Sequence, residues 1–338
     1  MTIENTIPYT PPVLDLLSSN LKKHGNPLGL SNKDLGIWTK GLQLPDKCQT
    51  ILYTGGEYQM SAYLPSMMKV LKNVKFGDTL FTAFKGIQSM ADRIGVDLVK
   101  TYGSLAGSDN QAYNAILRMA ALTLRDLKVE FTCIEGELYS GALLYEYGLF
   151  ERFAEHAQRV AEQLHQAGAT RIIALSPHSA EIFKNVYPRF VKEFNFEVTP
   201  YVMVIDEALK QSGRELALRR PASVTYHDPC HLARTLKITE EPRRILKTIK
   251  NLELKEVTPN RAMTNCCGAP CEVIYPELAE QATTRRLQEL SATGAGTAIT
   301  LCPFCLANLQ RGTKSAGIEL KITDFIEIVY SAMGGNNA

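Results

Sequence analysis

The 338-residue chain lacks the features that would place it among membrane, secreted or nucleic-acid-binding proteins. No stretch approaches the roughly 18 consecutive apolar residues that a spanning helix needs. The opening residues, MTIENTIPYTPP, carry neither a basic start nor an apolar segment, so the sequence reads as cytoplasmic. Neither charge sign dominates: 37 Lys and Arg stand against 35 Asp and Glu, and a net charge of +2 gives no basis for a nucleic-acid or anionic-surface partner. There is one tryptophan, Trp38. There is no G-x-G-x-x-G fingerprint for NAD or FAD and no ferredoxin-type C-x-x-C-x-x-C-x-x-x-C-P. Cysteine is scarce through the first two-thirds, where Cys48 and Cys133 stand alone and read as incidental and core thiols.

What the chain does have is a soluble composition, 45% apolar and 21% charged, and length enough for two domains. Residues 1–45 read as an N-terminal arm rich in proline and polar groups. Beyond it, short apolar runs alternate with helical periodicity. Strands are expected at Ile51–Thr54, Val129–Ile134 and Arg171–Leu175, and helices at about Phe84–Leu98, Gln111–Leu127 and Glu151–Gln166. The stripe Met60, Tyr63, Leu64, Met67, Met68, Leu71 has helical spacing and reads as core packing. The second half repeats the grammar, with strands at Ser223–Tyr226, near Leu254–Val257 and at Thr297–Leu301, and helices at about Glu241–Ile249 and Pro276–Ser291. AGATRIIALSPHS and GAGTAITLCPFC align, so that Gly168 matches Gly294, Leu175 matches Leu301 and Pro177 matches Pro303. The expected fold is therefore α/β, with two tandem, duplicated domains (46–215 and 216–338), each a parallel sheet flanked by helices.

Six of the eight cysteines fall between Cys230 and Cys305, and five of them form the pattern C-x35-CC-x34-C-x-x-C. Each group follows an expected strand: Cys230 the first, Cys266 and Cys267 the second, Cys302 and Cys305 the third. In open parallel sheets the carboxyl ends of the strands converge on the ligand crevice, so the three groups of thiols are expected to meet there. Cys302 and Cys305 also enter a helix, whose N-terminal dipole favours thiolate. Five thiols exceed the four that tetrahedral zinc or an ordinary cubane accepts. Cys271 is a sixth thiol, expected outside the ligand set. His227 and His231 flank Cys230, and His178 lies in the aligned loop of the first half; these three are the candidates for catalytic or proton-carrying groups.

The segments YHDPCHLAR, NCCGAP and LCPFC resemble the cysteine-rich CCG domain found in the B-type and D-type chains of heterodisulfide reductase and in related components of glycolate, lactate and glycerol-phosphate oxidation systems. The resemblance covers about residues 25–330. It implies two such domains in tandem, each able to bind a noncubane [4Fe-4S] cluster through five cysteines. For this chain it implies one cluster, held by Cys230, Cys266, Cys267, Cys302 and Cys305. The first domain departs from the pattern: Glu57, Tyr139, Ser140, Ser176 and Ser179 stand where the ligands would be.

The function so implied is that of an iron–sulfur oxidoreductase subunit in a heterodisulfide reductase-like, sulfur-oxidising electron-transfer complex acting on thiol, disulfide or persulfide sulfur. The alternative is a zinc-binding structural or assembly subunit without redox activity. Expected partners are a ferredoxin-like iron–sulfur subunit, a flavoprotein subunit and a small sulfur substrate or sulfur carrier. The arm segment GNPLGLSNKDLGIWTKGL resembles the linker that follows a ferredoxin domain in fused relatives. It would either dock the separate ferredoxin-like partner through Trp38, Leu28, Leu30 and Ile37, or pack on its own domain.

Overall fold

A computed structural model describes residues 10–63 and 110–335. The helix expected at about Phe84–Leu98, and the far end of the stripe that begins at Met60, lie outside the described residues. Short runs of β-branched and aliphatic residues build two parallel sheets. In the first, β1 (Thr50–Tyr53), β2 (Arg171–Ala174) and β3 (Glu197–Pro200) lie in the order β1-β2-β3. In the second, β4 (Leu216–Tyr226), β5 (Ile249–Lys255), β6 (Thr297–Thr300) and β7 (Lys321–Asp324) lie in the order β5-β4-β6-β7, again parallel.

The segment expected as a strand at 129–134 makes only a single parallel bridge, Thr132 to Ile51 on the free edge of β1. Counting that bridge, both sheets share one order: the second segment in sequence lies outermost, followed by the first, third and fourth. β4 is longer than expected because it runs through Arg219, Arg220 and Pro221. A register shift between Ala217 and Ala222 accommodates the proline, which has no N–H to give a ladder.

Amphipathic helices cover the sheets. Phe150–Gln166 buries Phe153, Ala157, Val160, Ala161 and Leu164, a spacing that keeps one face on the core. Pro276–Ser291 starts on its proline, and Pro303–Ala316 stops at Gly317 in the left-handed conformation that glycine adopts without strain.

The N-terminal segment belongs to this core. Its helix Pro12–His24 buries Leu14, Leu17 and Leu21, and the Gly25 carbonyl accepts from Tyr139 N at 2.8 Å. Trp38, Leu28 and Leu30 are 3%, 5% and 1% exposed, and the Trp38 carbonyl accepts from Arg118 Nη1 at 2.8 Å. These three side chains are therefore not anchors for a partner. Ile37 alone of the four is exposed. The arm packs on its own chain because its leucines find the apolar surface they need there.

Two buried polar contacts fix the parts that matter for the site. Tyr58, in the helical stretch after β1, donates to Asp324 Oδ2 at 2.8 Å across the two halves, while Asp324 Oδ1 accepts from Ile326 N at 2.9 Å and caps the last helix. Burial raises the Asp324 carboxyl to about 7, and the Tyr58 bond opposes that rise. Arg243, fully buried, makes a two-pronged bond to Asp228 at 2.7 and 2.8 Å, and Asp228 also accepts from Arg261 N. Asp228 lies between His227 and Cys230, so this pair sets the loop that leaves β4.

Tyr58→Phe is expected to cost about 1–3 kcal/mol, the penalty for a buried acceptor left unpaired. The Tyr58 hydrogen bond favours the charged carboxylate, so the loss should be larger above pH 7 than below it; denaturant unfolding at both pH values measures this. Asp228→Ala leaves Arg243 with Glu256, which it also bonds at 2.8 and 3.0 Å, as its remaining carboxylate partner, and is expected to cost about 1–3 kcal/mol by the same measurement.

Candidate functional site

The carboxyl ends of β5, β4 and β6 are neighbours in the second sheet, and the cysteines leave from them. Cys230 stands at the start of a wide helical turn, His231–Thr235. Cys266 and Cys267 follow β5 across a loop that bends at Gly268, whose φ is +87°. A Cβ there would stand 2.4 Å from the carbonyl oxygen of Ala279, so both the conformation and the close approach require glycine. The Cys267 carbonyl is fixed by Thr283 Oγ1 at 2.7 Å and Asn308 Nδ2 at 2.6 Å. Cys302 and Cys305 bracket the first turn of the helix that follows β6.

The five thiols form a closed set. Cys267 Sγ lies 3.2 Å from Cys305 Sγ, and for each of the five the strongest influence on its acidity is another of the five. Hydrogen bonds from Cys230 and Cys305 push the Cys266 and Cys302 thiols down, while their donors and Cys267 are pushed up. The Gly268 N–H adds a bond to Cys266 Sγ at 3.4 Å. Cys271 stands apart: its N–H closes a turn onto Gly268 O, and it does not line the cavity beside the thiols. Cys48 accepts from Thr50 N in the first half, and burial pushes the Cys133 thiol up.

A predominantly apolar cavity of about 110 Å³ opens beside the thiols. Cys230, Cys267, Cys302 and Cys305 line it together with Leu17 and Leu28 from the N-terminal segment. Glu146, His178 and His231 complete it. These three belong to an alternating row of carboxylates and imidazoles. Glu57 Oε1 lies 4.0 Å from His178 Nδ1; His178 Nε2 lies 2.8 Å from Glu146 Oε1; the same oxygen is 3.3 Å from His231 Nε2; and His231 Nδ1 is 3.7 Å from Glu181 Oε2. Burial works against charge on both imidazoles, yet Glu146 raises His178, and Glu146 with Glu181 raises His231 to about 10. In return the imidazoles hold Glu146 well below the usual carboxylate range in spite of burial. Glu146, His178 and His231 could also hold a metal ion among themselves, but they already satisfy one another as ion pairs.

The first half thus brings a different chemistry to the same crevice. Ser179 donates a short hydrogen bond to Glu57, and Ser176 caps the turn Pro177–Glu181 through His178 N. Burial raises the Glu57 carboxyl against the pull of His178. Tyr139 and Ser140 are buried nearby, and Tyr187 Oη donates to the Ser140 carbonyl. The His178 ring meets Phe304, inside the Cys302–Cys305 turn, edge-on at 5.3 Å and His231 at 4.7 Å. His227 does not line the cavity; it is 1% exposed and lies behind the thiols. Glu146 and Glu181 escaped sequence reasoning, because nothing near them in sequence marks them as partners of histidines 32 and 50 or more residues away.

Residues 224–310 match the cysteine-rich domain family. The chain is 26% identical over 322 residues to a probable iron–sulfur-binding oxidoreductase, FadF, of Bacillus subtilis, covering 94% of this chain and 40% of that protein. It is 30% identical over 247 residues to the D-type chain of the dihydromethanophenazine:CoB–CoM heterodisulfide reductase of Methanosarcina mazei, covering 70% and 59%. It is 28% identical over 258 residues to the B-type chain of the CoM/CoB fumarate reductase of Methanothermobacter marburgensis, covering 71% and 50%. The chain spans about half the length of these relatives. Residues 224–310 are accordingly a cysteine-rich domain, in a chain similar to the D-type component of heterodisulfide reductase and to a probable iron–sulfur-binding oxidoreductase.

Proposed function

We propose that this chain is the iron–sulfur subunit of a heterodisulfide reductase-like electron-transfer complex and that Cys230, Cys266, Cys267, Cys302 and Cys305 hold one [4Fe-4S] cluster of the noncubane kind. The observation that carries the reading is the closed set of five thiols at three adjacent strand ends, beside an apolar cavity. The donor set fits such a group. Five soft sulfurs packed this closely cannot all be thiolates in a buried site without a compensating polycation, and iron–sulfur cores are held by thiolates. Bound there, the cluster would supply one-electron chemistry and an iron able to take a sulfur ligand.

The chain's own residues would do the rest. Leu17, Leu28 and Phe304 keep water from the cavity, whose volume suits a sulfur terminus and not a large cofactor. His178 and His231 hold protons at Nε2 on its wall, with Glu146 between them. Cleaving a disulfide takes two electrons and two protons and yields two thiols, and the reverse releases them. The histidines are placed to give or take the protons at the substrate sulfur. Electrons would pass to or from a ferredoxin-like subunit and, beyond it, a flavoprotein. In this division of labour His178 and Glu146 of the first half and His231 of the second would handle the protons, the thiol-held group the electrons, and Leu17 and Leu28 would close the cavity.

Anaerobic purification followed by iron, sulfide and zinc analysis tests the assignment. About four irons with matching sulfide per chain are expected. Cys266→Ser or Cys302→Ser should remove most of the iron, because a hydroxyl is a harder and less acidic ligand. Colourless protein with one zinc and no iron would support the structural alternative instead.

A further inference from the structure

His227 is the one buried imidazole beside the thiols that the cavity does not use. Its backbone N–H bonds Ile299 O at 2.8 Å, which ties β4 to β6 at this point. Its Nδ1 lies 3.0 Å from Arg286 Nε. Arg286 is itself fully buried, with Nη1 held by Pro259 O and Glu289 Oε2, both at 2.9 Å. Arginine can only donate, so His227 Nδ1 must accept and the ring proton must sit on Nε2. Nε2 is buried and has no hydrogen-bond partner among the described residues. A ring nitrogen of His227 lies within 4.8 Å of both Cys267 Sγ and Cys305 Sγ. The same constraint excludes His227 as a metal ligand: ligation through Nε2 would need its lone pair, and would leave Nδ1–H facing the Arg286 donor.

We propose that Arg286 locks His227 as an Nε2–H donor to sulfur of the group held by the five cysteines, and that this hydrogen bond raises the group's reduction potential. This rests on the reading of the thiols as an iron–sulfur site. A donor aimed at a sulfur stabilises the more negative, reduced state, and hydrogen bonds to sulfur are among the terms that set cluster potentials. Arg286 acts through the ring and is a positioning residue.

Two measurements on the intact, anaerobically purified protein test this. Pulsed EPR on protein labelled with 15N-histidine, in the paramagnetic state of the cluster, should show a weakly coupled nitrogen and a proton that exchanges in D2O. Dye-coupled redox titration compares variants whose iron content is measured in the same samples. In His227→Leu and Arg286→Leu the ratio of reduced to oxidised cluster, at the wild-type midpoint, should fall about tenfold, or 59 mV for one electron. His227→Gln keeps an N–H and Arg286→Lys keeps a donor to Nδ1, and each should restore most of the shift. A strongly coupled nitrogen, as from a direct ligand, overturns the proposal, and so does an unchanged ratio in iron-replete His227→Leu. If the leucine variants lose iron, the wild-type spectrum decides. Wild-type protein without iron overturns the reading of the site, and this inference with it.

Discussion

Everything at this site depends on the crowding of five sulfurs, three of them buried and two half-buried, in one place. Isolated, such thiols push one another's acidities apart, two downward and three upward, because each thiolate is stabilised by a neighbour that must then keep its proton. That arrangement is poor as a plain core and good as a cage, since a cationic group in the middle lets all five deprotonate together. The parallel sheet makes the crowding possible. It sends three chain segments out of the same edge, and Gly268, the Asp228–Arg243 pair and the Thr283–Asn308 clasp on Cys267 then fix each loop.

The two halves use one strand order for opposite ends. In the second half the strand ends present thiols. In the first, Glu57, Ser176 and Ser179 follow the ends of β1 and β2 and present carboxylate and hydroxyl groups, with His178 reaching across to Phe304 and His231. The crevice between them is therefore asymmetric, lined by soft thiols from the second half and by carboxylates and His178 from the first, with His231 beside Cys230 joining the two. A chain with thiols on both walls could hold two metal groups there; this chain has its thiols on one wall only. The wide helical turns at Ile182–Val186 and His231–Thr235 flank that junction, where such turns often re-aim functional side chains.

Much of this was legible in the sequence. The alternation of short apolar runs with helical periodicity gave the parallel α/β sheets, and Pro276–Ser291 has the bounds its proline and its glycine punctuation implied. The cysteine spacing placed the thiols at strand ends. What was not legible depends on tertiary contacts. Val129–Ile134 has strand composition, yet only Thr132 reaches β1. Arg219-Arg220-Pro221 reads as a break, yet a register shift carries β4 through it. Trp38 read either as an interface anchor or as packing on its own domain, and no local pattern decided between them; it is buried, and the turn that carries it packs on the helix Asn110–Asp126, whose Arg118 bonds its carbonyl. The alternating row from Glu57 to Glu181 and the lock of Arg286 on His227 join residues far apart in the chain, and no local pattern announces them.

The central claim is that these five cysteines, and no others, surround one group. Cysteine labelling read out by mass spectrometry, on the anaerobic protein before and after chelation of its metal, tests it directly. The account predicts that Cys230, Cys266, Cys267, Cys302 and Cys305 become reactive together only on metal removal, while Cys48 and Cys271 react equally in both states. Protection of Cys271 with the set, or release of any of the five independently of the others, would contradict it.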